Sequence, residues 1–181
     1  MKPIRIAAAL IAGGASLAAL PAYADAFSSP KSASIAVSLT VEEECTIGTT
    51  PLAFGTTGIV DTNVETTATI TVQCTAKSPY AIGLDAGANA GDTDVTHRKL
   101  ANTDGVETAT LNYQLYSDGG FSHIWGHTIG TDTVNSTPVT GATGADETFT
   151  VHARVPTHQN VPAGDYADTV TATIWYADDL N

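Results

Sequence analysis

Five histidines, two cysteines and a cluster of aspartates are the residues of this 181-residue chain whose types could support chemistry. His97, His123, His127, His152 and His158 could ligate a metal or move protons, since imidazole titrates near neutrality. Their spacing supports neither role. His123 and His127 stand four apart, but Trp125-Gly126 lies between them without a helical pattern, and no His-Glu-x-x-His motif occurs. They read as polar surface or loop side chains. Asp92-Thr93-Asp94 matches the opening of a calcium loop, yet the glycine and terminal glutamate that complete an EF-hand are missing. A solvated acidic loop is expected there. No Gly-x-Ser-x-Gly elbow marks a serine nucleophile, and no Gly-rich loop ending in Lys-Ser/Thr is built to cradle phosphate. Asn135-Ser136-Thr137 fits the N-glycosylation pattern, but Pro138 follows it, and it is discounted. The sequence therefore assigns no catalytic, cofactor-binding or metal-binding residue. A hydrolase on the polar stretches at 86–109 or 127–146 would have to work without a recognisable nucleophile motif.

The cysteines acquire meaning from the start of the chain. Residues 1–24 read as a secretory signal peptide: Lys2 and Arg5 supply the positive start, Ile6 to Leu20 the apolar stretch, and Ala22-Tyr23-Ala24 the small-x-small cleavage site. That stretch is short for a membrane span and contains Gly13, Gly14 and Ser16. In an exported chain Cys45 and Cys74 have one possible intrachain pairing, and a disulfide is expected. A redox pair would favour the Cys-x-x-Cys spacing, which these two lack. Cleavage after Ala24 would leave 157 residues, one ordinary domain, and would move the net charge from −12 to −14. An acidic chain without a basic cluster is poorly suited to nucleic acid or to anionic membrane surfaces, and no later segment is apolar for long enough to span a bilayer.

Strands rather than helices must position whatever this chain presents. Thr67 to Thr75 alternates, with Ala68, Ile70, Val72 and Cys74 on one face. Phe149, Val151, Ala153 and Val155 alternate with Thr150, His152 and Arg154, and the last run puts Val170, Ala172, Ile174 and Tyr176 together. Tyr80 to Leu84 and Leu111 to Tyr116 also have period two, with Tyr113 on the inward face. Turn chemistry at Ser117-Asp118-Gly119-Gly120 and Pro162-Ala163-Gly164-Asp165 separates such runs. No mature segment sustains a helical period, so an antiparallel β-sandwich is expected, with loops or irregular edges at 86–109 and 127–146. Trp125 and Trp175 are candidate interface aromatics.

The best-formed stripe lies before all of these. In Ala33-Ser34-Ile35-Ala36-Val37-Ser38-Leu39-Thr40-Val41 every odd residue is apolar and every even one small. A strand there has one greasy face. Periodicity leaves two readings open: the first strand of the chain's own complete sandwich, or a strand inserted into another subunit.

An ordered set of short motifs then bears on the choice. Cys45 is followed by Pro51-Leu52-Ala53-Phe54-Gly55, by the strand ending Val72-Gln73-Cys74-Thr75, and by Leu111-Asn112-Tyr113-Gln114-Leu115-Tyr116-Ser117-Asp118. Trp125-Gly126, Ala153-Arg154-Val155-Pro156 and Pro162-Ala163-Gly164-Asp165-Tyr166-Ala167-Asp168 complete the series, which covers most of the mature chain. In this order they resemble the spore coat protein U domain family, whose members include subunits of archaic (Csu-type) chaperone–usher pili. The resemblance implies an all-β fold, an incomplete immunoglobulin-like antiparallel sandwich completed by a donor strand. It also implies a structural, non-enzymatic pilin with no cofactor, exported through the periplasm to an extracellular fibre with a role in adhesion and biofilm. Its implied partners are neighbouring copies of the same or a related pilin, a periplasmic chaperone and an outer-membrane usher. On this reading residues 1–24 are the signal peptide, 25–41 the N-terminal extension with donor residues Ala33, Ile35, Val37, Leu39 and Val41, and 42–181 the sandwich stapled by Cys45 and Cys74. Two features depart from the family pattern: the tail Ala177 to Asn181, and the acidic triplet Glu42-Glu43-Glu44. The rival from another class is a secreted, self-complete sandwich that binds carbohydrate or calcium.

Overall fold

The computed structural model describes residues 30–105, 108–135 and 142–176. The signal-peptide expectation, the tail Ala177 to Asn181 and most of the Asn135-Ser136-Thr137 motif lie outside them. The chain divides into a unit ending at Leu39 and a unit from Thr40 to Asn181. Residues 30–44 carry no strand.

The second unit is all-β. Among the described residues its strands are β1 (Cys45–Thr49), β2 (Val64–Cys74), β3 (Tyr80–Leu84), β4 (Lys99–Asn102), β5 (Thr110–Asn112), β6 (Gln114–Tyr116), β7 (Val134–Asn135), β8 (Glu147–Val155), β9 (Tyr166–Ala167) and β10 (Ala172–Tyr176). They form three antiparallel sheets with the orders β1-β2-β8-β6, β10-β3-β7 and β5-β4-β9. Threonine-rich alternation produces β2 and β8, the longest strands. Val64 pairs with Val155 and the register runs unbroken to Val72 with Glu147. Their apolar faces (Ala68, Ile70, Val72, Val151, Ala153 and Val155) supply one wall of the core, each 9 % exposed or less.

Leu111 to Tyr116, which reads as one strand in the sequence, is two. The chain changes sheet at Tyr113, so β5 pairs with β4 and β6 with β8. The stretch at 86–109 is not all loop either, because β4 lies within it. Gln159 finishes the outer edge of β5 with its side-chain amide. Its Oε1 accepts the Asn112 N–H at 2.7 Å and its Nε2 donates to the Asn112 carbonyl at 2.9 Å, copying a strand partner.

Trp125 belongs to the core and not to an interface. It is 1 % exposed, and its indole N–H donates to the Ile82 carbonyl at 2.8 Å. Trp175 lies half-buried on the outer face of β10, with the His127 ring 4.6 Å away in edge-to-face contact. Gly83 makes this packing possible, since a Cβ there would come 2.8 Å from the Trp175 ring. Cys45 and Cys74, paired across β1 and β2, are joined by a disulfide.

Candidate functional site

The sandwich is open along one side. Beyond β1 the chain continues through Thr50 to Thr57 without strand, and before β10 it passes through Gly164 to Thr171. Between these segments lies a groove of about 880 Å³. Its floor is core: Ile70 of β2, Val151 and Val155 of β8, Leu115 of β6, Leu111 of β5 and Leu84 of β3. Leu52 and Phe54 flank one side and Val170 and Ala172 the other. These flanking residues pack on the core but stay only half-buried. The inward face of the last run, Val170 before β10 and Ala172, Ile174 and Tyr176 within it, is thus apolar and incompletely covered. Of the inward residues at 68–74 and 170–176, Ala68, Ile70, Val170 and Ala172 line the groove together with Thr69, while Val72 and Cys74 are sealed in the core.

The backbone along the groove is also open. Asp85 and Ala88 donate their N–H groups to the carbonyls of Thr171 and Thr169, at 3.1 and 3.0 Å. Odd-numbered residues of this run therefore face β3, and the alternation of an antiparallel ladder turns the N–H and C=O of Val170, Ala172 and Ile174 the other way. On that side β10 is the edge of its sheet. An apolar trough beside an unpaired strand edge can accept one more strand, with ladder bonds giving registry and side chains filling the floor.

Polar groups fix the wall. Asp168, at the groove, accepts the Tyr113 hydroxyl at 2.7 Å, and the Asn89 side chain and main-chain N–H at 2.9 and 3.2 Å. Burial, reinforced by the Asp168 carboxylate, holds the Tyr113 phenol well above its usual range. Gly87 (φ +83°) passes so close to Asp168 that a Cβ would collide with the carboxylate.

Behind the floor sits a cation that the sequence reading did not single out. Arg98 is fully buried. Its Nε donates to the Asp85 carbonyl at 2.9 Å, its Nη1 to Gln114 Oε1 at 2.6 Å, and its Nη2 to the carbonyls of Leu84, Asp85 and Trp125 at 2.7–2.8 Å. Burial pushes its pKa down to about 10. The guanidinium ties the end of β3 to the Trp125 segment through backbone oxygens, and to β6 through the Gln114 side chain. One arginine within a polar stretch gives no periodic signal, and only the structure reveals it.

The residues weighed for chemistry are dispersed. The Asp92 carboxylate meets His97 Nδ1 at 2.8 Å, and Asp94 accepts the Thr96 N–H and hydroxyl, within one exposed turn. The His97 ring and the Thr96 donors hold the two aspartates below their usual range, and Asp92 raises His97. His123 lies beside Asp118, His127 on Trp175, His152 against Phe121, and His158 beside the Thr157 hydroxyl. Among the described residues no group of three or more His, Cys, Asp or Glu could hold a metal ion. The stripe at 33–41 presents its large apolar residues to solvent: Ile35, Val37, Leu39 and Val41 are 87, 90, 88 and 71 % exposed.

Residues 31–173 match the Spore Coat Protein U domain. The chain belongs to this family. Protein U of Myxococcus xanthus is 34 % identical to it over 189 aligned positions, which take in 97 % of this chain and all of that protein. The spore coat U fold seen here is also similar to a chain of the crystallised CsuC–CsuE chaperone–tip adhesion subunit pre-assembly complex, from the archaic chaperone–usher Csu pili of Acinetobacter baumannii. There the TM-score is 0.52 at 21 % identity, over 75 % of this chain, and this chain spans 40 % of that one. The all-β, immunoglobulin-like antiparallel fold is common to the two.

Proposed function

We propose that this chain is a structural subunit of a bacterial surface fibre and that it polymerises by donor-strand complementation. Residues 33–41 of one copy enter the groove of the next, with Ala33, Ile35, Val37, Leu39 and Val41 as the row that meets the floor. The observation that carries the reading is a pairing of opposites in one chain. A groove of about 880 Å³ runs beside the open edge of β10, and the stripe before the sandwich has its large apolar side chains 71–90 % exposed. An extended segment from Ser32 to Val41 would reach about 33 Å, enough to run along a strand-length trough. Exposed apolar surface of both kinds is costly in a lone subunit and is removed when the two combine.

The partners follow from the same reading. A subunit with an unfilled trough and a raw sheet edge is prone to aggregation, which is a physical reason for a periplasmic chaperone to cover the groove until an outer-membrane usher brings the next subunit. The similarity to a fold crystallised in a chaperone–subunit complex supports this. We infer export through the periplasm after removal of residues 1–24, an extension at 25–41 and an acceptor domain at 42–181. The role is mechanical, with no reaction to catalyse and no cofactor to hold.

Leu39→Arg tests the reading, because it places a charge in the plug row where burial without a partner is costly. Purified mature wild type should form ladders that survive mild detergent, and the variant should remain short. The variant's own groove is intact, so a synthetic peptide of residues 32–41 should still stabilise it. A wild type that is a stable monomer, with a variant that merely melts earlier, would overturn the proposal in favour of an internal strand.

A further inference from the structure

The acidic triplet Glu42-Glu43-Glu44 stands where the stripe joins the sandwich, and its surroundings bear on which groove the stripe can reach. Cys45 pairs with Cys74 and Tyr176 with Tyr80, and the short connection from Cys74 to Tyr80 puts these pairs at one pole of the sandwich. Strand β1 leaves that pole and β10 enters it, so the two run in opposite directions. The groove opens toward the other pole, at the end of β1 and the start of β10. A stripe that filled its own subunit's groove would have to reverse within residues 42–44 and return beside β1. Three residues are a permitted hairpin length. Self-insertion is also unimolecular, so at low concentration it would outrun insertion into a neighbour.

Thr75 stands against that reversal. Strand β2 ends at Cys74, and the next residue takes over its pairing. The Thr75 N–H donates to the Glu44 carbonyl at 2.8 Å. The Thr75 hydroxyl accepts the Glu44 N–H at 3.1 Å and has the Glu42 carbonyl 3.1 Å away as an acceptor for its own proton, with the Glu44 carbonyl at 3.3 Å. An extended backbone turns the C=O of residue 42 and the N–H of residue 44 to one side, as these contacts require. A turn at 42–44 would break these contacts. Three adjacent carboxylates favour the extended form as well, through like-charge repulsion.

We infer that Thr75 is a positioning residue for strand donation: its side chain holds Glu42 and Glu44 in line with β1 and so keeps residues 33–41 from folding back into their own subunit's groove. The inference rests on the donor-strand reading and adds a direction to it. A filled groove then reports a neighbour and not the subunit itself.

The test refolds mature wild type, Thr75→Ala and Thr75→Ser over a range of protein concentrations and separates compact heat-resistant monomer from ladder by size. Thr75→Ala should raise the ratio of compact monomer to ladder about 5- to 30-fold, with the monomer fraction insensitive to dilution. Thr75→Ser, which keeps the hydroxyl, should behave as wild type. Adding Leu39→Arg to Thr75→Ala should abolish the heat-resistant monomer, because the inserted plug is lost. Ladders in Thr75→Ala identical to those of wild type would overturn the inference and leave the polymer reading intact. A Thr75→Ala chain that stays unfolded even with excess peptide of residues 32–41 would also overturn it, reducing Thr75 to a fold requirement. Absence of ladders in wild type at every concentration would sink the polymer reading, and this inference with it.

Discussion

Arg98→Met removes a buried cation whose partners are backbone carbonyls, and two opposing costs decide the outcome. The guanidinium covers the carbonyls of Leu84, Asp85 and Trp125 and the Gln114 side-chain oxygen. Orphaning three buried carbonyls costs about 1–3 kcal/mol each, or about 3–9 kcal/mol before relaxation. Against this stands the cost of burying the charge. The fall in the arginine pKa from 12.5 to about 10 corresponds to roughly 3 kcal/mol that methionine would not incur. The difference, with methionine filling most of the volume, is a net loss of about 0–6 kcal/mol centred near 3, in line with breaking other buried polar networks. Denaturant unfolding followed by tryptophan fluorescence measures it, since Trp125 loses a partner at its own carbonyl. Arg98→Lys keeps charge without the fork of donors and should fall between the two. If Arg98→Met is as stable as wild type or more stable, desolvation matches or outweighs carbonyl capping and the reasoning is wrong.

Two further predictions follow from other contacts. Gly83→Ala places a methyl 2.8 Å from the Trp175 ring and 3.0 Å from the Gly126 carbonyl, so Trp175 must move off its seat beside His127. A loss of about 1–3 kcal/mol with an altered Trp175 emission is expected, and an unchanged spectrum would mean that the strand shifts instead. Glu147 accepts the Tyr80 hydroxyl at 2.5 Å and the Thr143 N–H at 3.0 Å, and these bonds hold its carboxyl below the ordinary 4.5. A carboxylate with a depressed folded pKa contributes stability that is present above its unfolded pKa and lost as pH falls through the folded one. Tyr80→Phe should therefore be less stable than wild type at pH 7 by about 1 kcal/mol, and the gap should close on acidification; parallel stability–pH curves would refute the assignment.

Much of the sandwich is readable because β2, β3 and β8 bury one face or both and write that burial as alternation. Val72 and Ala153 fall on the inward face in the sequence and are 1 % and 0 % exposed in the fold. The last strand reads equally well, yet its inward residues are only half-buried. Periodicity reports which face is apolar and is silent on whether anything covers it. What escaped was short or solitary. Strand β4 has four residues and β7 two, too few to show a period inside Thr- and Asp-rich stretches. The split at Tyr113 keeps the alternation of a single strand while the hydrogen-bond partners change, so no pattern betrays it. Trp125 reads from sequence as an interface residue because aromatics suit both settings; its indole bond to Ile82 depends on folded geometry. The groove is a relation between segments more than a hundred residues apart, and spacing alone cannot draw it.

The disulfide sits at a mechanically telling place. Residues 42–44 run directly into Cys45, the first residue of β1, and Cys45 is bonded to the last residue of β2. A pull on the leader would otherwise fall on the short ladder between β1 and β2 alone, which pairs five residues. Here, once the Thr75 contacts of Glu42 and Glu44 give way, the load crosses a covalent link before any bond between β1 and β2 is stressed. It passes into β2, whose pairing with β8 runs over nine residues. Tension along β2 shears that longer ladder, spreading the load over nine residue pairs instead of five. The strand that carries the load is thus not the strand that receives it.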